Sequence, residues 1–167
     1  ISSMNPCPCG FYNHPERECT CAPGAVQKYL NKISGPLLDR IDLHVEVTPV
    51  GFLELSSRKK EESSAQIRER VIKAREIQSA RYEGTPGLYC NAQMSNKILK
   101  EVCVINNIGQ NLLKSAMQKL NLSARAYDRI LKVSRTIADL GGSEDIKPVH
   151  IAEAIQYRSL DREGWGG

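Results

Sequence analysis

The chain has 167 residues, enough for one ordinary domain or two small ones. An apolar fraction of 41% and a charged fraction of 25% are those of a soluble globular protein, and with 5% aromatic residues the core must be mainly aliphatic. No run approaches the roughly 18 apolar residues of a membrane helix and no signal-peptide layout opens the sequence, so no membrane partner and a cytoplasmic location are expected. The net charge of +4 and pI of 8.7 are mildly basic. That excess is local, because residues 58–81 hold eight Lys/Arg against four Glu. A stretch of this kind permits a nucleic-acid partner but better describes a solvated helix face.

In chain order, Asn5-Pro6 starts a turn. Cys7, Cys9, Cys19 and Cys21 then form one C-x-C-x9-C-x-C cluster. Between the pairs lie Gly10, Asn13, Pro15 and several charges, a segment with little to bury. Four thiolates at this spacing can close a tetrahedral structural Zn²⁺ site, and such a loop needs a clamp. The alternatives are disulfides, disfavoured in a cytoplasmic chain, or four free cysteines. His14 could stand in for one ligand but reads better as a solvent-facing loop residue. Cys90 and Cys103 stand alone and read as small buried residues.

Val26, Tyr29, Leu30 and Ile33 mark a short amphipathic helix over 25–33. Gly35-Pro36 breaks the chain and Leu37-Leu38 anchors a turn. Ile41, Leu43, Val45 and Val47 then alternate at period two, the pattern of a half-buried strand, with His44 among its outward positions. Arg40 is thereby held at the strand mouth between Asp39 and Asp42. A rigidly held guanidinium suits phosphate oxygens, although from spacing alone a surface pairing with Asp39 or Asp42 is the better reading.

Residues 51–62 read as a loop. Ser63 and Gln66 form a capping box for a helix to about Arg81, with Ile67, Val71, Ala74 and Ile77 on its apolar face. Gly84-Thr85-Pro86-Gly87 is a linker. Beyond it everything reads as helix. Ser95 caps one through Val102, Asn107 precedes one through Leu120, Ser123 caps one through Leu140 ended by Gly141-Gly142, and Pro148 opens the last. The inward positions include Ile98, Leu99, Ile108, Leu113, Met117, Val149, Ile151 and Ile155. His150 reads as structural, and no Ser/His/Asp or Cys/His arrangement stands out. No GxxxxGK(S/T) loop appears and no apolar strand ends in Asp-Glu, so the phosphate cradle and magnesium-binding acid of a P-loop enzyme are missing.

Leu37-Leu38-Asp39-Arg40-Ile41-Asp42-Leu43 resembles the arginine-finger segment of AAA+ ATPases of the magnesium-chelatase and MCM-helicase branch. With Met4-Asn5-Pro6-Cys7-Pro8-Cys9-Gly10 and Ile33-Ser34-Gly35-Pro36 added, the sequence resembles the YifB/ComM-type magnesium chelatase-like family from Met4 to about Arg158. The resemblance implies a mixed α/β, mainly helical fold. Residues 1–84 would be the C-terminal remnant of an AAA+ P-loop domain, with a cysteine-rich insert at 7–21 and a basic helix at 63–82. Residues 91–160 would be a four-helix lid. Arg40 would be the arginine finger and Asn5, at a strand end, the sensor-1 residue. Arg125, in Leu122-Ser123-Ala124-Arg125, would be sensor 2, with Arg129 and Arg135 as substitutes. The full-length protein would be an ATP- and Mg²⁺-dependent motor, self-associating into a hexameric ring and acting on DNA as in branch migration. This part alone would be inactive. The alternatives are the ATPase motor subunit of a metal chelatase, or a zinc-stapled interaction module.

Overall fold

The computed structural model describes residues 1–52, 56 and 61–158. Most of the expected 51–62 loop and the Gly164–Gly167 end lie outside the described residues. Seven helices and one short 3-10 turn carry these residues: α1 (Ala25–Leu30), α2 (Gly35–Leu38), α3 (Ser64–Arg81), the turn at Asn91–Gln93, α4 (Asn96–Val102), α5 (Asn107–Lys119), α6 (Ala124–Leu140) and α7 (Pro148–Gln156). Among them no helix is long and apolar enough to cross a membrane.

The expected strand over 41–47 is not formed, and no strand occurs among the described residues. A strand is stable only when a neighbour completes its ladder and a layer covers its face. Neither is present here, so Leu43, Val45 and Val47 are 48%, 67% and 87% exposed. His44, expected outward, is instead buried. Asn5 accordingly lies in irregular chain rather than at a strand end. One isolated parallel bridge, Ile105 to Ile146, is the extent of β pairing among the described residues.

The helices begin where their caps dictate. Ser63 Oγ accepts the Gln66 N–H and Gln66 Oε1 accepts the Ser63 N–H, completing the capping box of α3. Ser95 caps α4 and Ser123 caps α6 in the same sense. The cap of α5 is Asn106, one residue before the expected Asn107, because its carboxamide oxygen reaches the Gly109 N–H at 2.9 Å. Pro148 occupies the first turn of α7, where its missing N–H costs nothing. Gly142, at φ +63°, lets the Ser143 N–H turn back to the Ala138 carbonyl and close α6.

The core belongs to the helical part. Alpha-6 runs through it, packed on α3, α4, α7 and the 3-10 turn, while α5 lies on α7. Ile130, Leu131 and Ala138 of α6 meet Leu99, Leu113, Ile146, Ile151 and Ala154. Gly109 allows α5 close to α7, since a Cβ there would sit 2.7 Å from Ile151 Cδ1. Two residues expected inward, Ile108 and Val149, are 67% and 63% exposed, because each stands in the first turn of its helix ahead of the contact with its neighbour. The segment Gly84–Gly87 turns tightly, with both glycines at φ +79°, and Tyr82 and Leu88 on either side enter the same core. Of the expected apolar face of α3, Ala74 is buried but Ile67, Val71 and Ile77 are 38–46% exposed. Its contacts come from the C-terminal half, where Ala74, Gln78 and Arg81 meet α6 and the turn.

Candidate functional site

The cysteine loop folds around its own sulfurs. Gly10, at φ +83°, lets its N–H return to the Cys7 carbonyl at 3.0 Å, and the Tyr12 N–H points at Cys7 Sγ at 3.3 Å. Cys7 is fully buried, and the sulfurs of Cys7, Cys9, Cys19 and Cys21 all lie within 4.8 Å of one another. Three of their separations are 3.3, 3.5 and 3.7 Å. None is a disulfide. Tetrahedral Zn–S bonds of about 2.3 Å place sulfurs about 3.8 Å apart, so this donor set fits such an ion with little adjustment. The thiols titrate unequally. The Phe11 backbone amide leads in holding Cys9 down to about 5. At Cys21 the Cys9 backbone amide pulls the same way, but desolvation and the neighbouring sulfurs outweigh it and push the thiol up to about 12. Such a cluster ionises in part by itself, and a complete set of thiolates needs a cation among them. His14 is not part of it: its ring packs edge-on against Phe11 and its Nδ1 accepts the Glu16 N–H.

The second feature is the arginine turn. Leu38 is buried and anchors α2, while Arg40 just beyond is exposed, its guanidinium donating to the Pro36 carbonyl at 2.6 Å. Asp42, a candidate partner for Arg40, is instead paired with Arg129 of α6. Arg158, one residue past the C-cap of α7, is fully buried and donates to the carbonyls of Ile41 and Leu38. Sequence pattern gave no sign of this contact, because the residue follows its helix and its acceptors lie over a hundred residues away.

Among the described residues no hydrogen bond or ion pair joins Asn5, Arg40 and Arg125 to one another. Asn5 is exposed beside Gly10 of the cysteine loop, and Arg125 is exposed in the first turn of α6. The substitutes for Arg125 are both engaged. Arg129 holds Asp42, and Arg135 is buried against Asp139 (3.1 Å) and the carbonyls of Ser143 and Glu144.

Asp139 anchors a buried polar network that sequence reading also missed. It accepts from Arg81 and Arg135, and from Asn91 Nδ2 at 2.8 Å, while Tyr82 donates to Asn91 at 2.7 Å. Desolvation raises its carboxyl, but the bonds from Arg81 and Asn91 prevail and hold it below the usual carboxylate range. Arg135 is four residues away on the same helix, but Asn91 and Arg81 are 48 and 58 residues away, beyond the reach of any local pattern.

A cysteine-lined loop followed by an arginine turn and a compact helical domain defines a mainly helical protein with one candidate metal centre among the described residues. Residues 61–158 match the family described as magnesium chelatase, subunit ChlI C-terminal, and residues 1–55 match magnesium chelatase, subunit ChlI. The chain belongs to this magnesium chelatase-like family. It is similar to the competence protein ComM of Haemophilus influenzae, with 43% identity over 164 residues, 97% of this chain and 31% of the relative. It is likewise similar to the YifB proteins of Salmonella typhimurium, at 39% identity, and Escherichia coli, at 38%, each covering 97% of this chain and 31% of the relative. The chain thus spans less than a third of the length of these relatives.

Proposed function

We propose that this chain carries the arginine finger and lid of a ring-forming AAA+ ATPase, an ATP-driven motor acting on DNA. The observation that carries the reading is Arg40: a guanidinium at the protein surface, on a turn fixed by a buried leucine, holding a backbone carbonyl and, among the described residues, no carboxylate. Such a group is free to reach the ATP of a neighbouring subunit and stabilise charge on the transferred phosphoryl group. Arg125, exposed at the head of α6, would sense nucleotide in its own subunit, and Asn5 would orient the attacking water. ATP and Mg²⁺ would be bound by parts of the protein outside this chain. Exposed basic residues on α3, Arg68 and Arg75 together with Arg70 and Lys73, which pair with Glu62 and Glu69, supply charge for the phosphate backbone of a DNA substrate. Zn²⁺ held by Cys7, Cys9, Cys19 and Cys21 would serve structure, since four protein ligands leave no open position.

The family description favours one second reading, the motor subunit of a metal chelatase. The test is ATP hydrolysis by the full-length protein with DNA, with a porphyrin, and with neither. DNA stimulation is expected, together with a loss of about a thousandfold or more in rate in Arg40→Ala at unchanged ATP binding. Porphyrin-dependent turnover would select the chelatase reading, and an unchanged rate in Arg40→Ala would remove the arginine finger.

A further inference from the structure

Three links from the helical domain converge on the segment around Arg40. The guanidinium of Arg158 spans two carbonyls, Leu38 two residues before Arg40 and Ile41 one residue after it. The Arg129 guanidinium pairs with the Asp42 carboxylate, and the Tyr157 carbonyl accepts the His44 N–H at 2.8 Å. Arg158 is 1% exposed and is the largest fully buried side chain of the described residues. Enclosing a guanidinium is expensive, and an apolar side chain would fill the same space without that cost. A charged fork supplies a fixed distance between two acceptors, which a lysine ammonium, a point donor, cannot span.

We infer that Arg158 is a positioning residue for Arg40, clamping the arginine turn to the end of α7 so that movement of the helical domain is transmitted to the exposed guanidinium. The mechanical part stands on the contacts alone; its consequence for catalysis rests on the proposed role of Arg40. Within that role, a change at α6 and α7 in one subunit re-aims the arginine offered to the next. Nucleotide sensed by the helical domain would thus regulate hydrolysis in the neighbour.

Two measurements on the full-length protein separate these parts. Hydrogen exchange is followed at the amides of Arg40, Ile41 and His44, which bond to Leu37, Leu38 and Tyr157. Arg158→Met is expected to accelerate these amides roughly tenfold, as when a buried acceptor loses its donor, with the α6 amides unchanged. Arg158→Lys, which keeps the charge but not the fork, is expected to accelerate them several-fold, and it carries the test if Arg158→Met does not fold. Unchanged exchange at the turn in a folded variant overturns the clamp. So does acceleration spread equally over α6, which would mark a general stability role. In the ATPase assay Arg158→Met is expected to lower kcat with little change in KM, and adding it to Arg40→Ala should cause no further loss. Additive losses would overturn the coupling to Arg40. If Arg40→Ala alone leaves the rate intact, the arginine-finger reading fails while the exchange result still decides the clamp.

Discussion

The two halves of the chain hold their shape by different means. Residues 61–158 bury a continuous aliphatic core and tie it with the Asp139 network. Residues 1–52 bury little: Cys7, Leu30, Leu38 and His44 are enclosed, while Met4, Leu37, Leu43, Val45, Val47, Val50 and Phe52 lie open. Where burial is scarce, order must come from cross-links, namely the metal that the sulfur cluster could hold at one end and the grip of Arg129 and Arg158 at the other. A helix can satisfy its own backbone, so the helical half needs no outside partner. A lone strand cannot, which is why the apolar alternation of 41–47 produced none.

The strongest way to break this contrast is to remove the cross-link. Elemental analysis should find one zinc per chain, falling to a trace in Cys19→Ser or after chelation. Loss of a structural zinc withdraws on the order of 10 kcal/mol of apparent binding free energy. Limited proteolysis should then cut within residues 7–33 while the helical half melts as before. A helical transition that moved with the metal would show that the two halves depend on one another.

The Asp139 network offers the next largest effect, confined to the other half. Asp139→Ala strands two arginines, one of them buried, and is expected to cost about 3–5 kcal/mol. For a domain of this size that lowers Tm by more than about 10 °C. Acid should imitate it. The Asp139 carboxyl is held below its ordinary value in the folded chain, so its contribution is complete above the unfolded pKa and is lost as pH falls through the depressed folded one. Calorimetry from pH 7 downward should therefore show the Asp139→Ala penalty shrinking at the acid end. A penalty independent of pH would assign it to packing.

The smallest effect lies at Val47. With that side chain 87% exposed, Val47→Thr should change stability by less than about 0.5 kcal/mol by chemical denaturation. A core-like loss would mean that the open apolar residues of 41–50 are covered in solution.

Legibility followed the range of the interactions. Capping boxes, N-terminal serines and the first-turn proline act over three or four residues, so Ser63, Ser95, Ser123 and Pro148 marked their helices to within a residue. The sulfur cluster was legible because two C-x-C pairs stand only nine residues apart. The apolar stripe of α3 was read but not used, since periodicity reports which residues share a face and not whether anything covers it. The Arg81–Asp139 and Arg158–Ile41 contacts could not be read at all, because each arginine looks like any other surface charge until the fold encloses it.

Cys103 shows what enclosure does to chemistry. Buried in the helical core, with its sulfur facing the Leu131 carbonyl and its thiol pushed by desolvation up to about 12, it holds almost no thiolate at neutral pH. An alkylating reagent should find it inert until the helices part, so its rate of modification would clock their opening.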